Sequence, residues 1–385
     1  MVTQLSLVVA LAHGAALMLQ SYRNVTTVPF GFDTDRVVVA GISLQGLDYR
    51  DNAERQADFW YRLVSRVREV PGVEMVGATS KLPLNGGTNG PLLVEGERYD
   101  PIIERPTVER SYITPEYFAA AGIPVVAGRS LVEADFGDRE YGVVVNQAFE
   151  RRYWPGQRAL GRRVYPNTAV RHWGATIVGV VGDVRQWGME RPPLPEIFYP
   201  LGVTTRNVRY LVVRTTATRG SLERAIRAAA ASIDPRQAVS AVRTFGDLAT
   251  SDSSRRRFQT VLIMLFAGAG LAMVLGGVYG LLSYQVTQRT REYGIRLALG
   301  ADARRLVWAV IWRGSALTSL GCVIGCGLAL GASRVIGDLV FGVDPSSPVW
   351  LMLVTMLMAM VGVIGAALPA RRASRVDPVL ALRTE

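Results

Sequence analysis

Four long apolar runs separate the polar parts of the chain. They cover residues 1–22, 258–285, 306–336 and 349–368, and each is about as long as, or longer than, the roughly 20 residues that cross a bilayer as a helix. Residues 23–257 contain no comparable run and alternate short apolar segments with polar ones. The pattern predicts an α-helical membrane protein with about four transmembrane helices and one large domain outside the membrane.

The large polar region mixes the spacing of strands with that of helices. Residues 209–215, 221–233 and 238–244 predict a strand, a helix and a strand, a unit that resembles one half of a ferredoxin-like, split βαβ fold. Amphipathic spacing predicts another helix at residues 53–70. Further strands are expected at residues 37–44, 73–79, 92–94, 108–113, 143–145 and 176–181. We therefore expect an α+β domain over residues 23–257.

Residues 1–22 fit either a transmembrane helix or a secretory signal peptide. A signal peptide requires a basic segment before its apolar core, and only Met1, Val2 and Thr3 precede the run. A transmembrane helix is therefore the favoured interpretation. Because the chain enters the run at once, we expect this helix to be truncated, as in a fragment or one half of a longer protein.

The distribution of charge predicts which side of the membrane each loop faces. The loop of residues 286–305 carries five arginines and the tail of residues 369–385 is also basic, and basic segments are retained in the cytoplasm. The loop of residues 337–348 has acidic but no basic side chains, which indicates the outer side. Residues 255–257, all arginine, disagree, because they would lie outside. The other three segments outweigh them, so residues 23–257 are expected to be extracytoplasmic.

Composition and charge exclude several functions. The formal net charge is +11, yet arginines of the polar region alternate with acids and the remaining basic clusters flank the apolar runs, so no nucleic-acid partner is expected. Lys81 is the only lysine and lacks the glycine frame of a phosphate-binding loop, so this chain is not expected to hydrolyse ATP. We find no paired carboxylates, Ser/His/Asp set or metal-ligand spacing. The protein is therefore not predicted to be an enzyme, and no catalytic residue, cofactor or metal site is expected.

The basic loop contains a short helix with two apolar faces. On a helical wheel Ile295 and Leu299 share one face and Tyr293 lies on another, with Glu292 and Arg296 between them as a favourable i,i+4 pair. Composition alone leaves two interpretations open. The helix is either a plain connector at the membrane interface or a surface that contacts another protein.

Several sequence motifs resemble one family. Residues 290–301 read T-R-E-Y-G-I-R-L-A-L-G-A and resemble the R-E-I-G-I-R-x-A-L-G-A signature of permease subunits of MacB/FtsX-type ABC transporters. Residues 372–383 resemble the family's terminal R-R-A-x-x-x-D-P-x-x-A-L-R. In the outer domain, I-T-P-E-Y-F at residues 113–118 and I-V-G-V-V-G-D-V at residues 177–184 also resemble this family. The likeness is greatest to its duplicated orphan-permease branch, of which this chain would be the C-terminal half.

The resemblance implies a permease whose cytoplasmic helix contacts a separate ABC ATPase. ATP hydrolysis there would move the extracytoplasmic domain and so expel or release a substrate. The implied partners are this ATPase subunit, a second permease half or copy in a dimer, and the lipids of a bacterial inner membrane. The residues expected to contact the ATPase are Arg291, Glu292, Tyr293, Gly294, Ile295, Arg296, Leu299, Gly300 and Ala301.

An alternative function belongs to another class. A membrane-anchored sensor or scaffold could bind a partner through the outer domain without energy coupling. In either case the spans must pack, and pairs of glycines four residues apart allow helices to approach closely. Such pairs occur at Gly276 and Gly280 and at Gly321 and Gly325, and we expect helix contacts at both.

Overall fold

The computed structural model describes residues 2–27, 30–34, 36–96, 106–135, 141–165, 174–189, 191–202, 209–289, 292, 303–336, 342–344 and 347–373. The chain divides into two units. One is Val28–Ser253, and the other joins Met1–Thr27 to Ser254–Glu385.

The unit of Val28–Ser253 is an α+β domain. Its helices are α2 (Ala53–Arg68), α3 (Tyr117–Ala121), α4 (Gln147–Tyr153) and α5 (Arg219–Ile233), numbered after α1 (Val2–Thr27) of the other unit. Its strands are β1 (Val37–Ser43), β2 (Val73–Thr79), β3 (Thr88–Pro91), β4 (Leu93–Val94), β5 (Thr107–Ile113), β6 (Val125–Gly128), β7 (Tyr141–Asn146), β8 (Arg163–Tyr165), β9 (Ala175–Val181), β10 (Glu196–Pro200), β11 (Tyr210–Thr215), β12 (Ala238–Val239) and β13 (Arg243–Thr244).

The first part of the sheet is ferredoxin-like. Its order is β12-β1-β11-β2, and each neighbouring pair is antiparallel. Along the chain it consists of two strand–helix–strand segments, β1-α2-β2 and β11-α5-β12. The two strands of each segment are parallel, and a strand of the other segment lies between them in the sheet. This is a split βαβ arrangement, which confirms the ferredoxin-like prediction. Phe59 and Leu63 of α2 and Leu222 and Ile226 of α5 cover one face of the sheet.

The second part of the sheet is inserted between β2 and β11. It continues as β5-β10-β7-β9-β8-β4, with parallel pairing of β5 to β10 and of β7 to β9. It meets the first part through a single Cα pair between β2 and β5, Thr79 with Ile113. Strand β10 was not predicted, although all five of its residues are buried. Its sequence E-I-F-Y-P has only three apolar residues between a charge and a proline, and so lacks a clear strand pattern.

The other unit consists of long apolar helices. They are α1, α6 (Phe245–Gln288), α7 (Ala303–Ile336) and α8 (Pro348–Ala373). Each contains a stretch long and apolar enough to cross a membrane: Val2–Asn24, Arg257–Gln288, Gly314–Ser333 and Pro348–Ala367. Large apolar side chains such as Phe258, Met352 and Met356 are exposed, as expected of surfaces that face lipid. The predicted class, four membrane helices with a large α+β domain, is confirmed.

Helix α6 begins thirteen residues before the expected start of its apolar run at residue 258. Two reciprocal hydrogen bonds explain this start. The Asp247 amide donates to Thr244 Oγ1 at 3.0 Å, and the Thr244 amide donates to Asp247 Oδ2 at 3.0 Å. This is a capping box with aspartate in the place of the usual glutamate, and it fixes the first turn of the helix.

A carboxylate organises the turn that follows α5. Asp234 accepts hydrogen bonds from Arg236 Nε at 3.0 Å, from Gln237 Nε2 at 2.9 Å and from the Tyr49 hydroxyl at 3.2 Å. The Arg236 guanidinium, helped by its own backbone amide, holds the pKa of Asp234 well below its usual range. The charged form of Asp234 is therefore favoured in the folded protein.

This depressed pKa predicts an acid dependence of stability. The unfolded chain protonates Asp234 near pH 3.9, so its stabilising contribution is present above that pH and is lost as the pH falls through the lower folded pKa. Asp234→Asn should lower the thermal midpoint at pH 7, measured by near-ultraviolet circular dichroism of the full chain in a mild detergent. The difference from the wild type should shrink below about pH 4. Asp58→Asn, at an exposed carboxylate, is the control, and an undiminished difference at pH 3 would contradict the prediction.

Candidate functional site

The candidate coupling segment lies between the end of α6 at Gln288 and the start of α7 at Ala303. Of its predicted contact residues the structure describes Glu292, whose Oε2 lies 3.9 Å from Arg289 Nη1. The others lie outside the described residues, so the contact face stays a prediction. They are Arg291, Tyr293, Gly294, Ile295, Arg296, Leu299, Gly300 and Ala301.

Helix α6, which leads into this segment, packs through one apolar stripe. Val274, Val278, Leu282 and Val286 are buried at four-residue intervals and form one stripe along the helix. Leu282 packs on Gly314 of α7, where an added Cβ would lie 3.1 Å from Leu282 Cδ1. The two helices that flank the coupling segment therefore meet at the Leu282 side chain.

Two of the predicted packing glycines lie in a tight helix contact. A Cβ added at Gly321 would lie 2.5 Å from Leu5 Cδ2, and one added at Gly325 would lie 2.6 Å from Val9 Cβ. Ser6 of α1 donates a hydrogen bond from its hydroxyl to the Gly321 carbonyl at 3.2 Å. Small residues and interhelical hydrogen bonds are the means by which helices associate in lipid.

The second predicted pair is placed differently. An added Cβ at Gly276 or Gly280 would meet no described atom within 4 Å. A close helix contact at this pair stays a prediction. Two packing glycines that spacing did not reveal are on α8, where Gly362 faces Thr318 and Gly365 faces Val278. Their separation of three residues does not match the four-residue motif.

The α+β unit holds a buried ionic network around the single lysine. Lys81 Nζ lies 2.9 Å from Glu109 Oε2 and 3.1 Å from Glu196 Oε1. The Trp187 indole N–H donates to the other Glu109 oxygen at 2.9 Å, and Gln186 Nε2 donates to the other Glu196 oxygen at 2.8 Å. All four carboxylate oxygens thus accept hydrogen bonds, which buried charges require.

Sequence motifs did not reveal this network, because its members are far apart along the chain. Glu109 lies on β5, Glu196 on β10, and Lys81 just after β2. One signal was present in the composition. A chain with 43 basic residues uses lysine only once, and here the flexible ammonium reaches two carboxylates on neighbouring strands, which a planar guanidinium would contact with different geometry.

Fold and helices together define a membrane protein with a large extramembrane α+β domain and a short loop between two packed helices. Two family models match it, the MacB-like periplasmic core domain over residues 5–243 and the FtsX-like permease C-terminal domain over residues 263–378. The chain belongs to the MacB/FtsX-type family of ABC transporter permeases.

Relatives of this chain include both permeases and fusions of a permease with an ATP-binding part. The macrolide export ATP-binding/permease protein MacB of Azoarcus sp. (strain BH72) is 26% identical over 290 residues, which cover 70% of this chain and 41% of that protein. The uncharacterized ABC transporter permease YvrN of Bacillus subtilis (strain 168) is also 26% identical over 290 residues, covering 71% of this chain and 69% of YvrN. The chain therefore spans less than half of the MacB relative.

Among solved structures, the periplasmic region of MacB from Actinobacillus actinomycetemcomitans aligns with a TM-score of 0.39. The two are 13% identical, and the alignment covers 59% of this chain and 97% of that region.

The glycine contacts predict a position-specific effect on stability. Gly325→Ala places a methyl group against Val9 and the Ser6 carbonyl and should destabilise the contact of α1 with α7 by about 1–3 kcal/mol, the usual cost of overpacking. Gly327→Ala is the matched control, since its Cβ would meet nothing within 4 Å. Thermal midpoints of the full chain in a mild detergent measure both. Equal midpoints for the two variants would show that α1 does not pack at Gly325.

The ionic network predicts a strong dependence on Lys81. Lys81→Met leaves two buried carboxylates without their cation, so the free energy of unfolding should fall by about 3–5 kcal/mol. Arg62→Met removes an exposed pair with Asp58 and should cost about 0.5 kcal/mol or less. Urea titrations of the full chain in a mild detergent, followed by tryptophan fluorescence, compare the two. A loss for Lys81→Met no greater than that for Arg62→Met would exclude a structural role for the network.

Proposed function

We propose that this chain is the permease subunit of an ABC transporter whose ATPase is a separate cytoplasmic protein. ATP hydrolysis by that partner would move the extracytoplasmic α+β domain, for efflux or release of a substrate. The observation that carries the proposal is the match of both family models, one over the α+β unit and one over the helices that flank the loop of residues 286–305.

The proposed topology follows from charge and span positions. Residues 1–22 and 258–385 would form the membrane part, and residues 23–257 the extracytoplasmic domain. The arginine-rich loop and the tail of residues 369–385 would face the cytoplasm of a bacterial cell and so mark the inner membrane. Two candidate spans, Gly314–Ser333 and Pro348–Ala367, lie between the loop and the tail, so both would lie on one side of the membrane, which supports this orientation.

Force would pass through α6. This helix is continuous over 44 residues, or about 66 Å at the usual rise, which exceeds the roughly 30 Å of a bilayer core. A push on residues 290–301 would act on α6 and α7 together, because Leu282 packs on Gly314. Such a movement is a rigid-body shift of packed helices. A second permease half or copy would complete the transporter as a dimer within the lipid.

The coupling segment is tested by reversing its charge. In the proposed complex, Gly294→Glu with Arg296→Glu would place bulky acids on the ATPase-facing helix and should reduce the ATPase that co-purifies with the chain by more than about tenfold. The chain is isolated from its own host membranes in a mild detergent, and ATP hydrolysis in the purified fraction is measured per mole of chain. Arg224→Glu, an exposed position on α5, is the control.

The outcomes separate the two candidate functions. ATPase retained by the control but lost by the double variant supports coupling through residues 290–301. ATPase retained by the double variant would contradict the contact. A wild-type chain that carries no ATPase would overturn energy coupling and favour a membrane-anchored sensor or scaffold.

A further inference from the structure

An open polar cavity lies in the α+β unit, where β2 and β11 meet the inserted part of the sheet. Its volume is about 460 Å³, and its lining includes Ser80, Lys81, Gly86, Arg110, Arg209 and Tyr210. These residues come from three separate parts of the chain. Cavities of about 300–1,000 Å³ are the size that holds small organic ligands.

The lining is cationic. Its described lining residues include Lys81, Arg110 and Arg209 and no acidic residue. The carboxylates of Glu109 and Glu196 lie next to Lys81, but their oxygens already accept hydrogen bonds from Lys81, Trp187, Ser111 and Gln186. Among the described side chains at the cavity, the three cations therefore outnumber the two carboxylates.

Arg209 is the cation best placed to meet a ligand. Its side chain is exposed at the cavity, and within the described parts of the chain it forms no ion pair with a carboxylate. Its backbone is fixed, because its amide donates to the Thr79 carbonyl at 3.2 Å and its carbonyl accepts from the Ile42 amide at 2.7 Å. An exposed guanidinium on such a fixed backbone can bind a phosphate or carboxylate through two parallel hydrogen bonds.

Hydroxyl groups complete the lining. Ser80 Oγ accepts a hydrogen bond from the Tyr112 amide at 3.0 Å, and the Tyr210 hydroxyl oxygen lies 3.4 Å from Asn85 Nδ2 as an acceptor. In each case the hydroxyl proton can still be donated, since a hydroxyl both accepts and donates. The cavity therefore presents neutral donors beside its cations, as oxyanion recognition requires.

One wall of the cavity is rigid. Leu84 and Gly86 have left-handed backbone angles, with φ of 64° and 78°, and the loop is held by hydrogen bonds from the Leu84 amide to Arg185 O at 3.0 Å and from the Gly86 amide to Gln186 O at 2.8 Å. The Trp187 ring lies against Gly86. A wall formed before binding reduces the entropy lost when a ligand binds.

We propose that this cavity binds a small molecule that carries an oxyanion, with a phosphate ester as the chemical class. The anionic group would bind Arg209, with Arg110, Ser80 and Tyr210 around it, and the remaining volume would hold the polar group attached to the phosphate. A lipid headgroup and a soluble metabolite share this chemistry. The proposal requires no ATPase, so it stands or fails independently of the coupling function.

Binding is tested on the full chain in an uncharged detergent by isothermal titration calorimetry. The probes are inorganic phosphate, sn-glycerol 3-phosphate and glycerol, each at the same ionic strength set with sodium chloride. Both phosphates should bind saturably, and glycerol should not. Tighter binding of glycerol 3-phosphate than of inorganic phosphate supports a phosphate ester, and equal binding of the two would contradict that chemical class.

Matched charge changes locate the site. Arg209→Gln should weaken phosphate binding by about tenfold, because it removes the exposed guanidinium while the backbone hydrogen bonds of residue 209 remain. Arg224→Gln, an exposed arginine on α5 outside the cavity, should leave the affinity unchanged. Absence of saturable binding by either phosphate, or an equal loss in both variants, would overturn the proposal. Unchanged thermal midpoints of both variants show that any loss comes from the site and not from the fold.

Discussion

The ammonium group of Lys81 joins two parts of a sheet that share a single Cα pair. Thr79 with Ile113 is the one paired position given by the β2–β5 ladder, and it is flanked by hydrogen bonds from the Ser80 amide to the Tyr112 carbonyl at 2.9 Å and from the Thr114 amide to the Ala78 carbonyl at 3.0 Å. Directly after β2, Lys81 reaches Glu109 on β5 and Glu196 on β10. A buried ion pair is weak evidence for net stability, but it penalises every alternative placement that leaves a charge unpaired. The backbone hydrogen bonds at this junction and the Lys81 contacts together hold the inserted part of the sheet to β2.

A different constraint acts on the membrane helices. Lipid offers no hydrophobic gain when apolar helices associate, so close backbone approach and local hydrogen bonds must supply the attraction. Gly321 and Gly325 permit this approach to α1, and Ser6 adds a hydrogen bond there. On α6, Gly276 and Gly280 have the same spacing, but among the described residues no atom lies within 4 Å of a Cβ added at either position. A pair of glycines four residues apart thus marks a position where two helices can approach closely, and the neighbouring side chains determine whether they do so.

Sequence was sufficient for features that depend on local pattern. Long apolar runs predicted the membrane helices, and the strand–helix–strand spacing near residue 220 predicted the ferredoxin-like part. Features that depend on distant contacts were missed. Strand β10 is a strand because β5 and β7 flank it, not because of its own residues. The cavity also could not be predicted, because Lys81, Arg110 and Arg209 come together only through the insertion. The start of α6 was missed for another reason, since residues 245–257 are mostly polar and the expected helix was assigned from the apolar run that begins at residue 258.

The contact of Leu282 with Gly314 limits how the coupling segment can act. Leu282 lies six residues before the end of α6, Gly314 lies eleven residues after the start of α7, and their contact joins the two helices at this level. A force on the loop therefore cannot separate α6 from α7 without breaking this contact. Packed interfaces shift as bodies more readily than they deform. In the proposed transporter, a movement of the segment would therefore shift α6 and α7 together. Helix α8 would move with them, because Gly365 of α8 lies against Val278 of α6.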